Sequence, residues 1–280
     1  MSLKSEQRTT KLTSFILLSV VGVFWIAPMI WILSTSLKPE SAAISWPIKW
    51  IPTNPTFQNY IDVISNTSEA PIMRWFVNSL FIAVTHTIFV LFITSLAAYA
   101  YSRLKFKGRD KIFWFLMATM MVPPIMNLIP NYSIVDTLGW VDTPWAMIIP
   151  GLGGVFGIFL LRQFFLGIPD ELEEAAIIDG ASLFQIYYQI ILPLSKPALV
   201  VLALFTFMGN WNDFLWPLIV TDSVEMRTLP VGLSILQGTY NIQYAKMMTA
   251  TVLSAIPVLI LFLAAQQFFV KGISLTGVKG

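Results

Sequence analysis

Two ionisable side chains interrupt long apolar stretches of this sequence, His86 and Asp213. An ionisable group in hydrocarbon is costly, so each is a functional candidate by default. Together they could begin a proton relay, but such relays chain several Asp, Glu or His residues, and these two stand on different stretches. A lone histidine in such a stretch is more often packed and hydrogen-bonded than a shuttle. With His 1 and Cys 0 in the whole chain, disulfides, thiolate metal sites, iron–sulfur clusters and cysteine nucleophiles are excluded. A nucleophile–base pair or a metal cluster is hard to build from what remains, which disfavours a membrane-embedded enzyme. Sodium sites made of backbone carbonyls keep a free-standing ion-coupled carrier or channel open as the alternative reading. Any uphill work is expected to draw its energy from elsewhere.

The elements that position these residues are membrane helices. The chain has 280 residues, 56% hydrophobic and only 11% charged, with a mean hydropathy of +0.73. Soluble proteins carry about 25% charged residues, so a soluble domain is excluded, and disorder with it. One span takes about 20 apolar residues. Six such runs are present, at about 13–33, 77–101, 112–130, 144–161, 198–220 and 248–270. Backbone groups in lipid must be satisfied within the segment, which makes these runs helices; the strict alternation of a membrane barrel is absent. The expected fold is an all-α integral membrane protein, with residues 1–280 forming a single transmembrane domain. The first run is longer than a signal-peptide core and contains Pro28, so it is read as an uncleaved span.

Orientation follows the basic residues. With the N-terminus in the cytoplasm, the inside segments hold Lys4, Arg8 and Lys11, then Arg103, Lys105, Lys107, Arg109 and Lys111, then Arg162 and Lys196, then Lys271 and Lys279. The outside loops hold Lys38, Lys49, Arg74, Arg227 and Lys246. Both termini are therefore expected in the cytoplasm. Residues 34–74 lie outside, and their prolines block a continuous helix, predicting a compact extracytoplasmic lobe. Two glycosylation-like triplets, Asn66-Thr67-Ser68 and Asn131-Tyr132-Ser133, are short enough to arise by chance. A net charge of +2 gives no reason to expect nucleic acid as a partner.

The cytoplasmic loop between the fourth and fifth spans, residues 167–196, carries the most information. Asp170 followed by Glu173, and Ser182 followed by Gln185, are two helix-start signals of the capping-box type. Gly180 lies between them as a turn, and Pro193 closes the second helix. Asp170, Glu171, Glu173 and Glu174 gather in the first turns, where they complement the helix dipole. The second helix is largely apolar, with Leu183, Phe184, Ile186, Tyr187, Ile190 and Ile191. A helix lying on the membrane surface would prefer basic residues on its polar face. This acidic knob fits a protein partner with basic residues.

The pattern Glu174-Ala175-Ala176, then Gly180, then Ile190-Ile191-Leu192-Pro193 resembles the EAA motif of ABC importer permeases. Ala98-Tyr99-Ala100-Tyr101-Ser102-Arg103 followed by Gly108-Arg109 is similar to the end of the second span in sugar permeases. Asn210-Trp211-Asn212-Asp213-Phe214-Leu215-Trp216-Pro217 is similar to their fifth span, where Glu often stands at the place of Asp213. Gly277-Val278-Lys279-Gly280 resembles the tail of MalG-like subunits. The resemblance covers essentially the whole chain and points to the MalG-like permeases of the carbohydrate-uptake class.

That resemblance implies a heteromeric importer in a bacterial or archaeal cytoplasmic membrane. Its parts would be this chain, a second MalF-like permease, a cytoplasmic ATPase homodimer and an extracytoplasmic solute-binding protein. This chain would be non-catalytic and would bind no cofactor or metal. ATP and Mg would belong to the ATPase, in keeping with the lack of a phosphate-binding GxxxxGK[ST] loop here. The coupling contact with the ATPase would fall on Glu174, Ala175, Ala176, Gly180, Ile190, Leu192 and Pro193, and the tail from Lys271 would reach the same interface. A sugar path needs amides, hydroxyls and aromatic faces in an apolar wall. Asn210, Trp211, Asn212, Asp213 and Trp216 supply them, with Asn78, Ser79 and Asn127 as further candidates. For each of these, hydrogen bonding between helices is the competing role.

Overall fold

The computed structural model describes residues 3–65, 70–237 and 243–274, with side chains described over 11–65, 70–237 and 243–268. The triplet Asn66-Thr67-Ser68 and the tail segment 275–280 lie outside the described residues. Among those described there is no strand. The chain divides into two compact units, Met1–Met73 with Leu233–Ile256, and Arg74–Gly232 with Pro257–Gly280.

In chain order the helices are α1 (Leu3–Ser36), α2 (Glu40–Ala43), α3 (Gln58–Ser65), α4 (Ile72–Arg103), α5 (Arg109–Thr119), α6 (Leu128–Thr137), α7 (Pro144–Ile148), α8 (Val155–Leu166), α9 (Glu171–Ile178), α10 (Leu183–Ile186), α11 (Leu192–Leu194), α12 (Lys196–Trp211), α13 (Leu215–Val220), α14 (Leu229–Gln237) and α15 (Tyr244–Ser274). Among the described residues, three helices are long and apolar enough to cross a bilayer, over Lys11–Ser36, Ile72–Arg103 and Tyr244–Phe268. They contain the first and second expected spans and most of the sixth.

The other three apolar runs are broken helices. Run 112–130 holds α5 and the start of α6, bent by 92°. Pro123 and Pro124 sit at the bend, because each removes a donor and forces the preceding residue out of the helical region; a short 3-10 turn, Pro124–Asn127, follows. Run 144–161 holds α7, a turn with Gly151 at φ +87°, and α8. Run 198–220 holds α12 and α13, separated by Asn212, Asp213 and Phe214. Irregular backbone at membrane depth is tolerated where it is buried in protein or lines a cavity, and the last break does line one.

In the first unit, the end of α1 is tied to the proline-containing segment that follows it. Asn59 of α3 donates from Nδ2 to the carbonyls of Ser36 (2.8 Å) and Lys38 (2.7 Å). Lys38 donates to the Lys49 carbonyl at 2.7 Å and lies over the Trp31 ring. Glu40 accepts the backbone N–H groups of Tyr244 (2.6 Å) and Ala245 (2.9 Å), which satisfies orphan donors at the start of α15.

In the second unit, α4 contributes to two apolar cores. Ala98 and Tyr99 pack with Leu161, Phe165, Ile168, Ile186, Tyr187, Ile191, Ala198 and Leu202. Ile82 packs with Val135, Ala146, Met147, Ile148 and Val220. At its N-terminal end α4 grips the segment before α14. Trp75 donates to the Val224 carbonyl (2.7 Å), Asn78 to those of Glu225 (2.6 Å) and Arg227 (3.0 Å), and Ser79 accepts from the Leu229 N–H (2.8 Å).

Candidate functional site

The acidic loop folds as helix, glycine turn, helix. Helix α9 ends in a Schellman motif: Ala181 N–H bonds the Ala176 carbonyl (2.9 Å) and Gly180 N–H that of Ile177 (3.0 Å). Gly180 takes φ +83°, a conformation that costs glycine nothing and other residues much more. At the start of α10, Ser182 and Gln185 form a complete capping box, with Ser182 N–H donating to Gln185 Oε1 (2.7 Å) and Gln185 N–H to Ser182 Oγ (3.3 Å). Between α10 and α11 the chain widens into a π turn, Tyr187–Ile191, closed by Leu192 N–H on the Tyr187 carbonyl. Pro193 follows it. The helix ends one residue beyond, at Leu194, and a 78° bend leads into α12.

The other capping box does not form. Asp170 is itself helical, at φ −68° and ψ −26°, and its side chain caps nothing. Both acids turn instead to Arg103, the last residue of α4, whose side chain is only 6% exposed. Arg103 donates to Asp170 Oδ1 and to the carbonyls of Phe165 and Ile168. Glu173 Oε1 lies 3.0 Å from Arg103 Nε, out of line for a hydrogen bond, so that contact is a charge pair alone. Against a carboxylate, a charged guanidinium is a stronger partner than the neutral backbone N–H of a cap. Burial pushes the Glu173 carboxyl up; Arg103 pulls it down and Asp170 pushes it up again, leaving it above the ordinary range.

The loop has an inner and an outer side. Ile186, Tyr187 and Ile191 are buried, while Ala176 and Leu192 pack half-buried against the same core. No residue of α9 is buried. Glu174, Ala175, Gly180 and Pro193 are exposed and Ile190 is half-buried. Ile178 at 85% and Phe184 at 63% join Leu172, Ile177, Leu183 and Tyr188 among the exposed apolar side chains. Acids and apolar groups thus share one uncovered surface, the composition of a docking face.

A second candidate lies beside the break between α12 and α13. His86, Met147, Pro150, Gly151, Phe205, Thr206, Gly209, Asn210, Asp213 and Trp216 line an open cavity of about 280 Å³. His86 Nδ1 is 2.8 Å from the Ile148 carbonyl, which can only accept, so Nδ1 carries the proton. The Trp216 indole donates to the Ala146 carbonyl (2.8 Å). The Asp213 carboxylate faces the backbone N–H groups of Phe214, Leu215 and Trp216 at the start of α13.

The structure thus brings together three of the sequence candidates, Asn210, Asp213 and Trp216. Trp211 points elsewhere, stacked on Phe207 (5.7 Å) and edge-on to Phe76 (5.6 Å). Asn212 is exposed and bonds the Met208 carbonyl (2.8 Å). Asn78 and Ser79 clamp the segment before α14, and Asn127 is exposed in its 3-10 turn. Thr206, Gly209 and the turn at Gly151, which are not among the sequence candidates, complete the wall. Thr206, Gly209 and Asn210, at i, i+3 and i+4, share one face of α12, a signal available in the sequence, and Asp213 follows just beyond the end of that helix. His86 is both hydrogen-bonded to backbone and part of the wall. Among the described residues no group of three or more His, Cys, Asp or Glu could hold a metal ion.

Residues 91–275 match the family described as binding-protein-dependent transport system inner membrane component. The chain is 35% identical over 268 residues to the arabinooligosaccharides transport system permease protein AraQ of Bacillus subtilis (strain 168), covering 95% of this chain and 94% of that one. It is 35% identical over 269 residues to the trehalose/maltose transport system permease protein MalG of Thermococcus litoralis, covering 95% and 94%. It also superposes, with a TM-score of 0.83 and 25% identity, on a chain from the crystal structure of a bacterial ABC transporter involved in the import of the acidic polysaccharide alginate, covering 96% of this chain and 99% of that one.

Proposed function

This chain belongs to the family of binding-protein-dependent transport system inner membrane components and is a permease component of a sugar ABC importer, and on that premise we propose how it is arranged and how it is driven. The six apolar runs cross the cytoplasmic membrane as six spans of one transmembrane domain, with both termini inside. Three are continuous helices; the other three are the α5–α6, α7–α8 and α12–α13 segments. Helix α8 alone, at 12 residues, reaches about 18 Å of a hydrocarbon core of about 30 Å, so it needs α7 to complete the crossing. Residues 34–74 and the α6–α7 connection then face outward, and residues 167–196 face the cytoplasm.

The single observation that carries the mechanism is the α9–Gly180–α10 knob, which presents Glu174 and Ala175 beside uncovered Ile178, Leu183 and Phe184. It docks on a cytoplasmic ATPase homodimer that binds ATP and Mg and does the hydrolysis. Glu174 meets a basic residue there, Ala175 and Ala176 allow close approach, and Gly180, Ile190, Leu192 and Pro193 fix the shape of the knob. Beside it stand a second, MalF-like permease and an extracytoplasmic solute-binding protein. A structure similar to this chain in fold holds an alginate pentasaccharide-bound periplasmic protein, which supports the last of these partners.

The sugar-like solute passes the cavity of Asn210, Asp213, Trp216 and His86, whose amide, carboxylate, indole and imidazole match the hydrogen-bonding and stacking surface of a polyol. The free-standing ion-coupled carrier is not favoured, because it leaves the knob without a task. A mild-detergent pull-down of the tagged chain from its native membrane, with and without Glu174→Lys, tests the reading. An ATPase and a second permease should accompany the wild type, and the ATPase should be lost from the variant. A chain that comes down alone or as a homo-oligomer, with the variant behaving identically, would overturn it.

A further inference from the structure

Helix α9 has no buried residue of its own, yet it is fixed at both ends, and both fixings come from α4. At its start, Arg103 holds the Asp170 carboxylate and the Phe165 and Ile168 carbonyls. Beyond its end, Tyr99 donates to the Leu183 carbonyl at 3.1 Å, where α10 begins. One turn further along, Ser95 Oγ is 2.7 Å from Tyr187 Oη in the π turn. Ser95, Tyr99 and Arg103 stand at i, i+4 and i+8, a single stripe on the last turns of α4. Three of the acceptors are backbone carbonyls, so the stripe grips the path of the loop and not merely its side chains.

The same helix carries His86 in the wall of the cavity. From Arg103 to His86 is about 25 Å along a continuous helix, and Trp75, Asn78 and Ser79 anchor its far end. A helix without a break between two gripped points moves as a rod.

We propose that Ser95, Tyr99 and Arg103 form a transmission contact: displacement of the α9–α10 knob is handed to α4 through this stripe and reaches the cavity as a movement of the wall containing His86. These are positioning residues that touch neither ATP nor solute. The inference rests on the reading of the knob as the ATPase docking site. The competing role is static adhesion between α4 and the loop, which would hold the fold together but carry no signal.

The chain contains Cys 0, so one introduced thiol can report on the cavity. Thr206→Cys is placed there, the chain is assembled with its ATPase and second permease in nanodiscs, and the rate of maleimide labelling of this chain is measured without nucleotide and with ATP trapped by vanadate. Trapping should change the rate about tenfold, within the usual span of coupled sites. In Arg103→Ala, and in Arg103→Ala with Tyr99→Phe, the change should collapse to less than about twofold, with co-purified ATPase and basal hydrolysis retained. Arg103→Lys, which keeps charge but loses the planar fork, should recover part of it, and Tyr99→Phe, lacking one oxygen, should lose part. An undiminished nucleotide-driven change in the double variant overturns the proposal. So does a loss of ATPase binding that parallels the loss of signal, because that is adhesion alone. If no ATPase accompanies the chain carrying only Thr206→Cys, the docking reading itself fails, and that failure is seen before any stripe variant is made.

Discussion

The six-membered ring of Trp75 lies against Gly232 so closely that a β-carbon there would sit 2.0 Å from Trp75 Cε3. Trp75 is 1% exposed and its indole N–H is committed to the Val224 carbonyl, so it has nowhere to swing. Gly232→Ala is therefore expected to lower stability by about 1–3 kcal/mol or more, read as a fall in the thermal midpoint in detergent. Gly22→Ala, where nothing lies within 4 Å of the added carbon and the helix interior favours Ala over Gly, should not lower the midpoint.

Asp142 ties two loops together. Its Oδ1 accepts the N–H groups of Asp222 and Ser223 and the Ser223 hydroxyl, each at 3.0 Å. Burial pushes its carboxyl up, but the bonds from Ser223 and Asp222 together pull it below the ordinary range. A carboxyl lowered in the folded state contributes stability that is complete above its unfolded value of about 3.9 and lost as pH falls through the lower folded value. Asp142→Asn tolerates the left-handed φ of 60° found there and should cost roughly 1 kcal/mol at neutral pH, after allowance for solvent screening. The gap from wild type should close as the medium is acidified below about pH 4; a gap that stays constant with pH would refute the charge-based account.

At the cavity, Asn210→Ala should raise the solute concentration for half-maximal uptake about tenfold, the worth of one hydrogen bond of about 1.4 kcal/mol. Asp213→Asn should alter uptake while the assembled complex is recovered in normal yield. Vesicle uptake together with the yield of complex checks both, and wild-type uptake would strike the residue concerned from the path.

Ser182→Ala removes the capping box of α10 and should cost about 1 kcal/mol locally, seen as faster amide hydrogen exchange at Gln185. Ser182→Asp keeps an acceptor and should retain most of the protection. Equal exchange in all three proteins would show that the box contributes little to the knob.

The sequence revealed most where a local rule had no competitor. Ser182 with Gln185, and Gly180 as a turn, follow from capping and left-handed geometry alone, and both are found as expected. Asp170 and Glu173 satisfy the same capping rule, but Arg103 lies 67 positions away from Asp170 along the chain, and spacing along the chain cannot anticipate that meeting. Three apolar runs are long enough to read as spans, yet Pro123, Gly151 and Asp213 mark places where a helix gives way to a turn. Hydropathy averages over such points. The cavity was half legible: the face containing Thr206 and Asn210 can be read from helical periodicity, whereas Asp213 joins it at the helix break and Gly151 and His86 only through tertiary packing.

Helix α1 offers a consequence of a genetic kind. None of the most apolar 18-residue stretch within Lys11–Ser36 is buried, and Phe15, Leu18, Phe24 and Trp25 are all exposed. The second permease proposed above is the surface that would cover those side chains. Damaging alleles at these positions should therefore be rescued by second-site changes in another gene, while alleles at Trp75 or Phe165, whose neighbours are this chain's own residues, should find their suppressors within it.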